Sequence, residues 1–298
     1  MQPILEKVKA NINHSFQVNH LKTDLFPSPL HFHPEIEILL VLQGTGTRFI
    51  GDSVGRFSPG ELIMIGGNVP HVWYSDKPES QNGRLLDSEA VYILFESDIF
   101  GDQFWSLPES RMVLKTIEYS QRGIKLKGEA KAEISVLMNE ISQASGFRRI
   151  SLLFEILTKI ATADGKELLS SQVVQNKINQ GDSNRLNKVY QYVLDNSSRK
   201  ITLDDVASIA NFAKPAFCRY FKQRVNKTFI QFLNEIRVGH ACRLLIKDDL
   251  PVADACFMTG FNNISYFIKQ FKRQTGLTPL KYRRSVHNSR DGSHPSSS

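Results

Sequence analysis

The interval between apolar residues divides the chain into three zones. From about residue 15 to about 97, short apolar runs (Ile36 to Leu42, Thr47 to Ile50, Glu61 to Ile65, Val69 to Tyr74, Ala90 to Phe95) are broken by Gly and Pro. That punctuation predicts short strands in a small barrel or sandwich. From about 98 to about 170 the interval lengthens to three and four residues, in Ile134, Leu137, Met138 and Ile141 and then in Leu152, Leu153, Ile156, Leu157 and Ile160. This period predicts amphipathic helices. Gln175 to Asn184 is polar, contains Gly181 and reads as a linker. The third zone is helical and runs to about Arg284; Ser285 to Ser298 is Ser-rich, without apolar pattern, and is expected to be disordered.

The third zone repeats itself. Phe217-Cys218-Arg219-Tyr220-Phe221-Lys222 returns fifty positions later as Phe267-Ile268-Lys269-Gln270-Phe271-Lys272, followed by Asn226 against Gly276, Thr228 against Thr278 and Phe232 against Tyr282. Asn and Gly are the residues that most readily take the left-handed conformation ending a helix, so their pairing marks two helix stops. Upstream of each repeat a short helix and a turn are expected. Thr202 caps the first, with Asp204 and Asp205 in its opening turn and Val206, Ala207, Ile209 and Ala210 as its apolar face; Pro251 opens the second. Ala207 precedes a turn at Asn211 as Cys256 precedes one at Gly260, a small residue letting two helices cross closely. Asn262-Asn263 adds one residue to the second turn. Between the units Phe229 to Lys247 reads as one helix of about 30 Å, close to the ~34 Å between successive major grooves on one face of DNA. The spacing of Phe217, Phe221, Phe267 and Phe271 assigns them to the core rather than to base stacking.

These residues resemble the C-terminal domain of AraC/XylS-family regulators. The likeness is carried by Phe221-Lys222, Ile236-Arg237 through Ala241, Leu244-Leu245, and above all by Gly260-Phe261-Asn262-Asn263-Ile264-Ser265-Tyr266-Phe267 with Phe271-Lys272, Gly276, Thr278-Pro279 and Tyr282-Arg283. It covers about a hundred residues, with Asn226 where Gly is common and Cys256 where Ala is usual. It implies double-stranded DNA as a partner, a homodimer, and RNA polymerase as a further partner if the protein is an activator. By position in the two recognition helices, Lys214, Pro215, Cys218, Arg219 and Lys222, and Asn263, Ile264, Ser265, Ile268, Lys269 and Lys272, are expected at the DNA, with Arg219 placed to read guanine and Lys222 and Lys272 to touch phosphate or remain solvated. For any one basic residue the alternative is an ordinary solvated face.

In the first zone, residues 31 to 37 read His-Phe-His-Pro-Glu-Ile-Glu. On a strand His31, His33, Glu35 and Glu37 would share one face, pointing inward if Phe32, Ile36 and Ile38 cover the other. A second element from Gly60 ends in His71. The spacing of His31, His33, Glu37, Gly44, Gly60 and His71 resembles the cupin fold, a barrel that AraC/XylS regulators often carry as their effector domain; Leu25 and Gly66 depart from its pattern. Three readings stand open: an effector pocket lined by His31, His33, Glu35, Glu37 and His71; a metal site of His31, His33, Glu37 and His71, as in metal-binding cupins; and an internally hydrogen-bonded structural cluster. Trp73, Arg48 and Tyr92 are further candidates for the cavity wall. The resemblance favours a small-molecule effector with no cofactor. The segment at about 128–162 resembles the family's dimerisation element, against the alternative of a helix pair packed on the barrel.

Composition sharpens this division. Residues 1–180 hold 18 Lys+Arg against 21 Asp+Glu, a balance of −3, and residues 181–298 hold 19 against 9, a balance of +10. The C-terminal part is thus the one suited to a polyanion. Cys218, Cys242 and Cys256 are too few for a disulfide framework or a four-thiolate zinc site and read as small buried residues. With neither a membrane span nor an export signal recognised, a cytoplasmic location is expected. The expected architecture is α+β: a cupin-like effector-sensing domain in 1–100, a helical dimerisation or linker region in 101–180, a double helix-turn-helix domain in 181–285, and a tail in 286–298. The expected protein is a transcription regulator and not an enzyme; the rival from another class is a cupin metalloenzyme fused to a DNA-binding domain.

Overall fold

Alternation along one strand decides how the N-terminal part is layered. The computed structural model describes residues 14–26, 30–76, 88–171, 180–247 and 250–284, so the tail and most of the expected linker lie outside the described residues. The first strands are β1 (Gln17–Thr23), β2 (Ile36–Gln43), β3 (Gly46–Ile50), β4 (Ser53–Phe57), β5 (Leu62–Ile65), β6 (His71–Ser75) and β7 (Ser88–Phe95). Then come α1 (Gly101–Trp105), α2 (Arg111–Ser120), β8 (Ile124–Leu126), α3 (Gly128–Gln143), α4 (Phe147–Thr162) and β9 (Lys166–Leu168). Side chains of β2 point to opposite faces in turn. Ile36, Ile38 and Leu40 join a core with Ile134, Met138 and Ile141 of α3 and Leu153, Ile156 and Ile160 of α4. Leu39 and Val41 join another with Ile50, Phe57 and Trp73.

A six-stranded sheet, ordered β1-β7-β2-β5-β8-β9, therefore has α3 and α4 on one face and a three-stranded sheet, ordered β4-β3-β6, on the other. Its central strands are buried on both sides, which is why β2 reads as an almost unbroken apolar run. Of the two architectures the sequence allows, the described strands form facing sheets; their ladders do not join into a closed cylinder. The apolar stripes of α3 and α4 are spent on the sheet, which accounts for their spacing without a second subunit. β8 and β9 interrupt the zone read as wholly helical, and at three residues each they are too short to set a period.

Contacts divide the chain into two units, residues 1–184 and 185–298. Across that boundary runs α5 (Gln180–Asn196), so the last residues of the expected linker, Gly181 among them, are helical. The reason is the run Leu186, Val189, Tyr190 and Val193, which keeps helical spacing and is buried. There follow α6 (Leu203–Ile209), α7 (Lys214–Val225), α8 (Phe229–Lys247), α9 (Val252–Met258) and α10 (Ile264–Thr275), with a last helical turn over 279–284. Two aromatic cores hold this unit: Tyr190, Phe217, Phe221, Phe229 and Phe232 in one, Phe261, Phe267, Phe271 and Tyr282 in the other.

Candidate functional site

The repeat in the sequence is a repeat in geometry. Thr202 accepts from Asp205 N at 3.2 Å while its own N–H donates to Asp205 Oδ2 at 2.8 Å, a reciprocal cap that starts α6. The turn after α6 takes Asn211 through a φ of 57°, and that after α9 takes Gly260 through 87°. Each turn closes with the same bond: Phe212 N donates to Ala207 O at 2.9 Å, and Phe261 N to Cys256 O at 3.2 Å. α7 stops at Asn226 and α10 at Gly276, both left-handed as expected. Four residues separate α6 from α7 and five separate α9 from α10, the extra residue coming from Asn262-Asn263.

Packing fixes which face of α7 and α10 remains outward. Phe217 and Phe221, and likewise Phe267 and Phe271, are 0% exposed and lock one face of each helix inward. Lys214, Pro215, Cys218, Arg219 and Lys222 on α7, and Ile264, Ser265, Lys269 and Lys272 on α10 with Asn263 before it, are exposed. Cys218 thereby departs from the expectation of three buried cysteines; Cys256 is buried and Cys242 half-buried. Ile268 is half-buried against the second core, so its part is packing first. Asn263 Oδ1 accepts from Tyr266 N at 2.8 Å as the cap of α10, leaving its amide nitrogen for other work. Lys214 reaches back to Asp204 at 2.8 Å, whereas Arg219, Lys222, Lys269 and Lys272 have no ion-pair partner among the described residues.

Two residues of α8 escaped the sequence reading as positioning groups. Arg237 donates from Nε to Ser197 O at 2.9 Å and from a terminal nitrogen to Arg199 O at 2.8 Å, with its guanidinium 5.8 Å from the centre of the Phe261 ring. It ties the loop before α6 to the turn before α10. Buried Asn234 donates to Tyr266 Oη at 2.7 Å and so holds the first turn of α10 against α8. No periodicity signals such a role, because α8 carries other polar residues, Gln231, Glu235 and Arg243 among them, from which these two do not stand out.

In the first unit, four of the five expected pocket residues converge. One donor atom from each of His31, His33, Glu37 and His71 lies within 4.8 Å of the others. The reason is not the continuous strand expected over 31–37: β2 starts only at Ile36, and His31 forms an isolated bridge with His71, their backbone bonds being 3.1 and 2.9 Å. Pro34 interrupts the alternation, since it has no N–H to give a ladder. Glu35 consequently leaves the row and lies behind His33, 3.4 Å from its Nδ1. His33 Nε2 is 3.2 Å from Glu37 Oε2; His71 Nε2 is 2.9 Å from the same oxygen, out of line for a hydrogen bond. Burial alone would raise the Glu37 carboxyl, but His71 and His33 hold it well below the usual carboxylate range. Burial would likewise lower His33, and Glu37 outweighs it to leave the imidazole raised.

His31, His33 and Glu37 form the polar end of a cavity of about 180 Å³ whose walls are Leu21, Phe26, Leu39, Trp73, Ala90, Tyr92 and Leu94. Trp73 and Tyr92 thus line it as the sequence allowed. Arg48 does not: it is buried against Glu61, 2.7 Å away, which Lys125 also contacts. The apolar wall from β1 and β7 was not foreseen, because β1 is too polar to announce itself as a strand.

Residues 206–285 match the helix-turn-helix domain family. The chain is similar, at 24% identity over 263 residues and 86% of both chains, to an uncharacterised HTH-type transcriptional regulator, YdeC, of Bacillus subtilis strain 168. It is 23% identical over 257 residues, 86% of this chain and 87% of the other, to the HTH-type transcriptional activator RhaR of Mannheimia succiniciproducens. Among solved structures, the DNA-binding domain of the transcriptional factor AdpA with its target DNA is 25% identical, covers 37% of this chain and 98% of that one, and superposes with a TM-score of 0.34. The domain match falls on the paired helices, which therefore form a helix-turn-helix domain, and along most of its length the chain is similar to proteins named as transcription regulators.

Proposed function

We propose that α7 and α10 are the two DNA-reading helices of this regulator, and that the cavity of the first unit is the receptor for a small-molecule effector that controls it. The observation carrying the first half is the set of four exposed cations without an anionic partner among the described residues, Arg219 and Lys222 on α7 and Lys269 and Lys272 on α10, on helices whose opposite faces are locked by phenylalanine. α8, with nineteen residues at ~1.5 Å each, spans about 28 Å between them, close to the ~34 Å from one major groove to the next. Arg219 and Lys269 read base edges, while Lys222 and Lys272 neutralise phosphate. Selection of bound sites from random DNA tests this: two conserved half-sites about one helical turn apart are expected, and a selected pool without a shared motif would refute it.

The effector half is supported by the cavity itself, which joins an apolar wall to a cluster of polar groups as ligand pockets do. A ligand acts by favouring one of two arrangements of the regulator. The cupin-like reading of the two facing sheets belongs here too, supported by the convergence of His31, His33, Glu37 and His71. A homodimer would have to use faces of α3 and α4 turned away from the sheet, or another surface; the mass in solution by light scattering decides it.

A further inference from the structure

The loop joining α5 to α6 carries exposed cations that belong to neither reading helix, yet it is fastened beside one of them. We propose that Arg199, Lys200 and the hydroxyl of Tyr266 form a third DNA contact, which grips backbone phosphates in the stretch of duplex between the two half-sites. The proposal rests on the assignment of α7 and α10 as reading helices and adds a contact outside the grooves they enter.

One side chain brings the patch together. Arg237 lies near the middle of α8, the helix that separates α7 from α10. It donates to Ser197 O and Arg199 O, and its guanidinium rests 5.8 Å from the centre of the Phe261 ring. Gly260, in the turn before α10, packs on the same loop so closely that a Cβ there would strike the Ser197 carbonyl oxygen and come within 3.0 Å of the Ser198 carbonyl carbon. Loop 197–200 is therefore held against the entrance of α10. Tyr266, in the first turn of that helix, has its ring 6.2 Å from the ring of Phe261. With α7 and α10 in successive major grooves, the minor groove between them faces the protein. A patch at the middle of α8 and beside the start of α10 then meets the backbone that separates this minor groove from the groove α10 enters.

The chemistry of the three groups suits phosphate. The bonds to Arg237 use main-chain oxygens, so the Arg199 side chain stays exposed, without a hydrogen-bond or ion-pair partner among the described residues. Lys200 is exposed as well and helps to hold the Asp205 carboxyl low, so Arg199 carries the larger share of the free charge. Tyr266 Oη accepts from Asn234 Nδ2 at 2.7 Å, and a hydroxyl that accepts keeps its own hydrogen to give. Its side chain is 41% exposed, and backbone phosphate takes hydrogen bonds from arginine, lysine and tyrosine alike. A guanidinium meets phosphate oxygens as a fork, and a neutral hydroxyl beside it adds a bond without adding charge. None of this is inherited from the repeat. Ala216 stands fifty positions before Tyr266, and the segment ahead of α9 reads Asp248-Asp249 where that ahead of α6 reads Arg199-Lys200.

The full chain is titrated with the duplex it selects from random DNA, at several salt concentrations. Arg199→Gln is expected to lower the slope of log K against log salt by about 0.9, the share of one phosphate, and to leave base preference as it was. Arg199→Lys should restore the slope, and neither variant should move the melting curve, because the carbonyl that Arg237 holds is still there. Tyr266→Phe should weaken binding with the slope unchanged. Methylphosphonate, placed at one phosphate at a time between the half-sites, should weaken the parent chain at one or two positions and cost Arg199→Gln nothing further there. A selected motif whose salt slope is the same in the parent and in the Arg199→Gln, Lys200→Gln double variant overturns the patch and leaves the reading helices standing. Sensitivity confined to phosphates outside the central stretch overturns it too. A parent chain that selects no shared motif removes the helix assignment, and the third contact with it.

Discussion

Removing the guanidinium of Arg237 probes the joint on which the DNA-binding unit turns. Arg237→Ala deletes a charged donor from the buried carbonyl of Ser197, worth about 1.5–3 kcal/mol because that oxygen is left without its partner. The bond to Arg199 O lies in an exposed setting where water replaces it, so about 0.5 kcal/mol is charged to it. The contact with Phe261 adds ~0.5–1 kcal/mol. The sum is about 2.5–4.5 kcal/mol, a large part of the stability of a domain of this size. Arg237→Lys keeps the charge but not the fork of donors, and should lose about half as much. Both tryptophans, Trp73 and Trp105, lie in the first unit. Urea unfolding followed by tryptophan fluorescence therefore reports that unit, while far-UV circular dichroism also reports α5 to α10. The expected result is an earlier dichroism transition with the fluorescence transition unmoved; a dichroism midpoint within about 0.5 kcal/mol of the parent protein would refute the assignment of Arg237 as a strut.

Three further outcomes are expected of the same fold. Arg219→Ala should cost about 1–3 kcal/mol of specific binding and relax preference at one base position, while Lys272→Ala weakens binding evenly and lowers the salt slope by about one; a footprinting titration at several salt concentrations separates them, and unchanged selectivity in the first variant would count against α7. Gly260→Ala places a methyl group into the Ser197 carbonyl oxygen and 3.0 Å from Arg237 Nε at a φ of 87°, so a loss of at least ~1–3 kcal/mol is expected by thermal melting, and a neutral result would mean the two segments are not so close. Asp205 is held below the ordinary carboxylate range by the Thr202 N–H and hydroxyl. Its contribution is therefore present above the unfolded pKa of ~3.9 and is lost as pH falls through the lower folded value; Asp205→Asn should flatten the acid limb of stability against pH, and an unaltered limb would exclude the cap as its source.

The sequence was most legible where a residue's backbone preference and its packing agree. Asn226 and Gly276 end helices because they tolerate a left-handed backbone, Phe217 and Phe267 sit inward because their spacing leaves no other face, and α8 spans Phe229–Lys247 as its recurring apolar residues and lack of proline imply. The histidine cluster was legible in membership but not in mechanism. His31 and His33 reach Glu37 through an isolated bridge and a proline-broken loop, and that same loop removes Glu35 from the row. What stayed hidden depends on partners distant in sequence. Three-residue strands such as β8 exist only because β5 offers an edge, and Arg48 turns to Glu61 and Lys125 rather than to the cavity. Ile268 has the look of a groove residue until the second core is assembled around it.

A single strand forms the partition between the cavity of the first unit and the helical layer. Glu37 and Leu39 line the hollow, while Ile36, Ile38 and Leu40, threaded between and beside them, are the floor on which α3 and α4 stand. Close-packed interiors pass displacement on rather than absorb it. An occupant that pushes β2 by a fraction of an ångström therefore presses on both helices at once, and a bulkier residue at Ile38 would be felt as a smaller hollow.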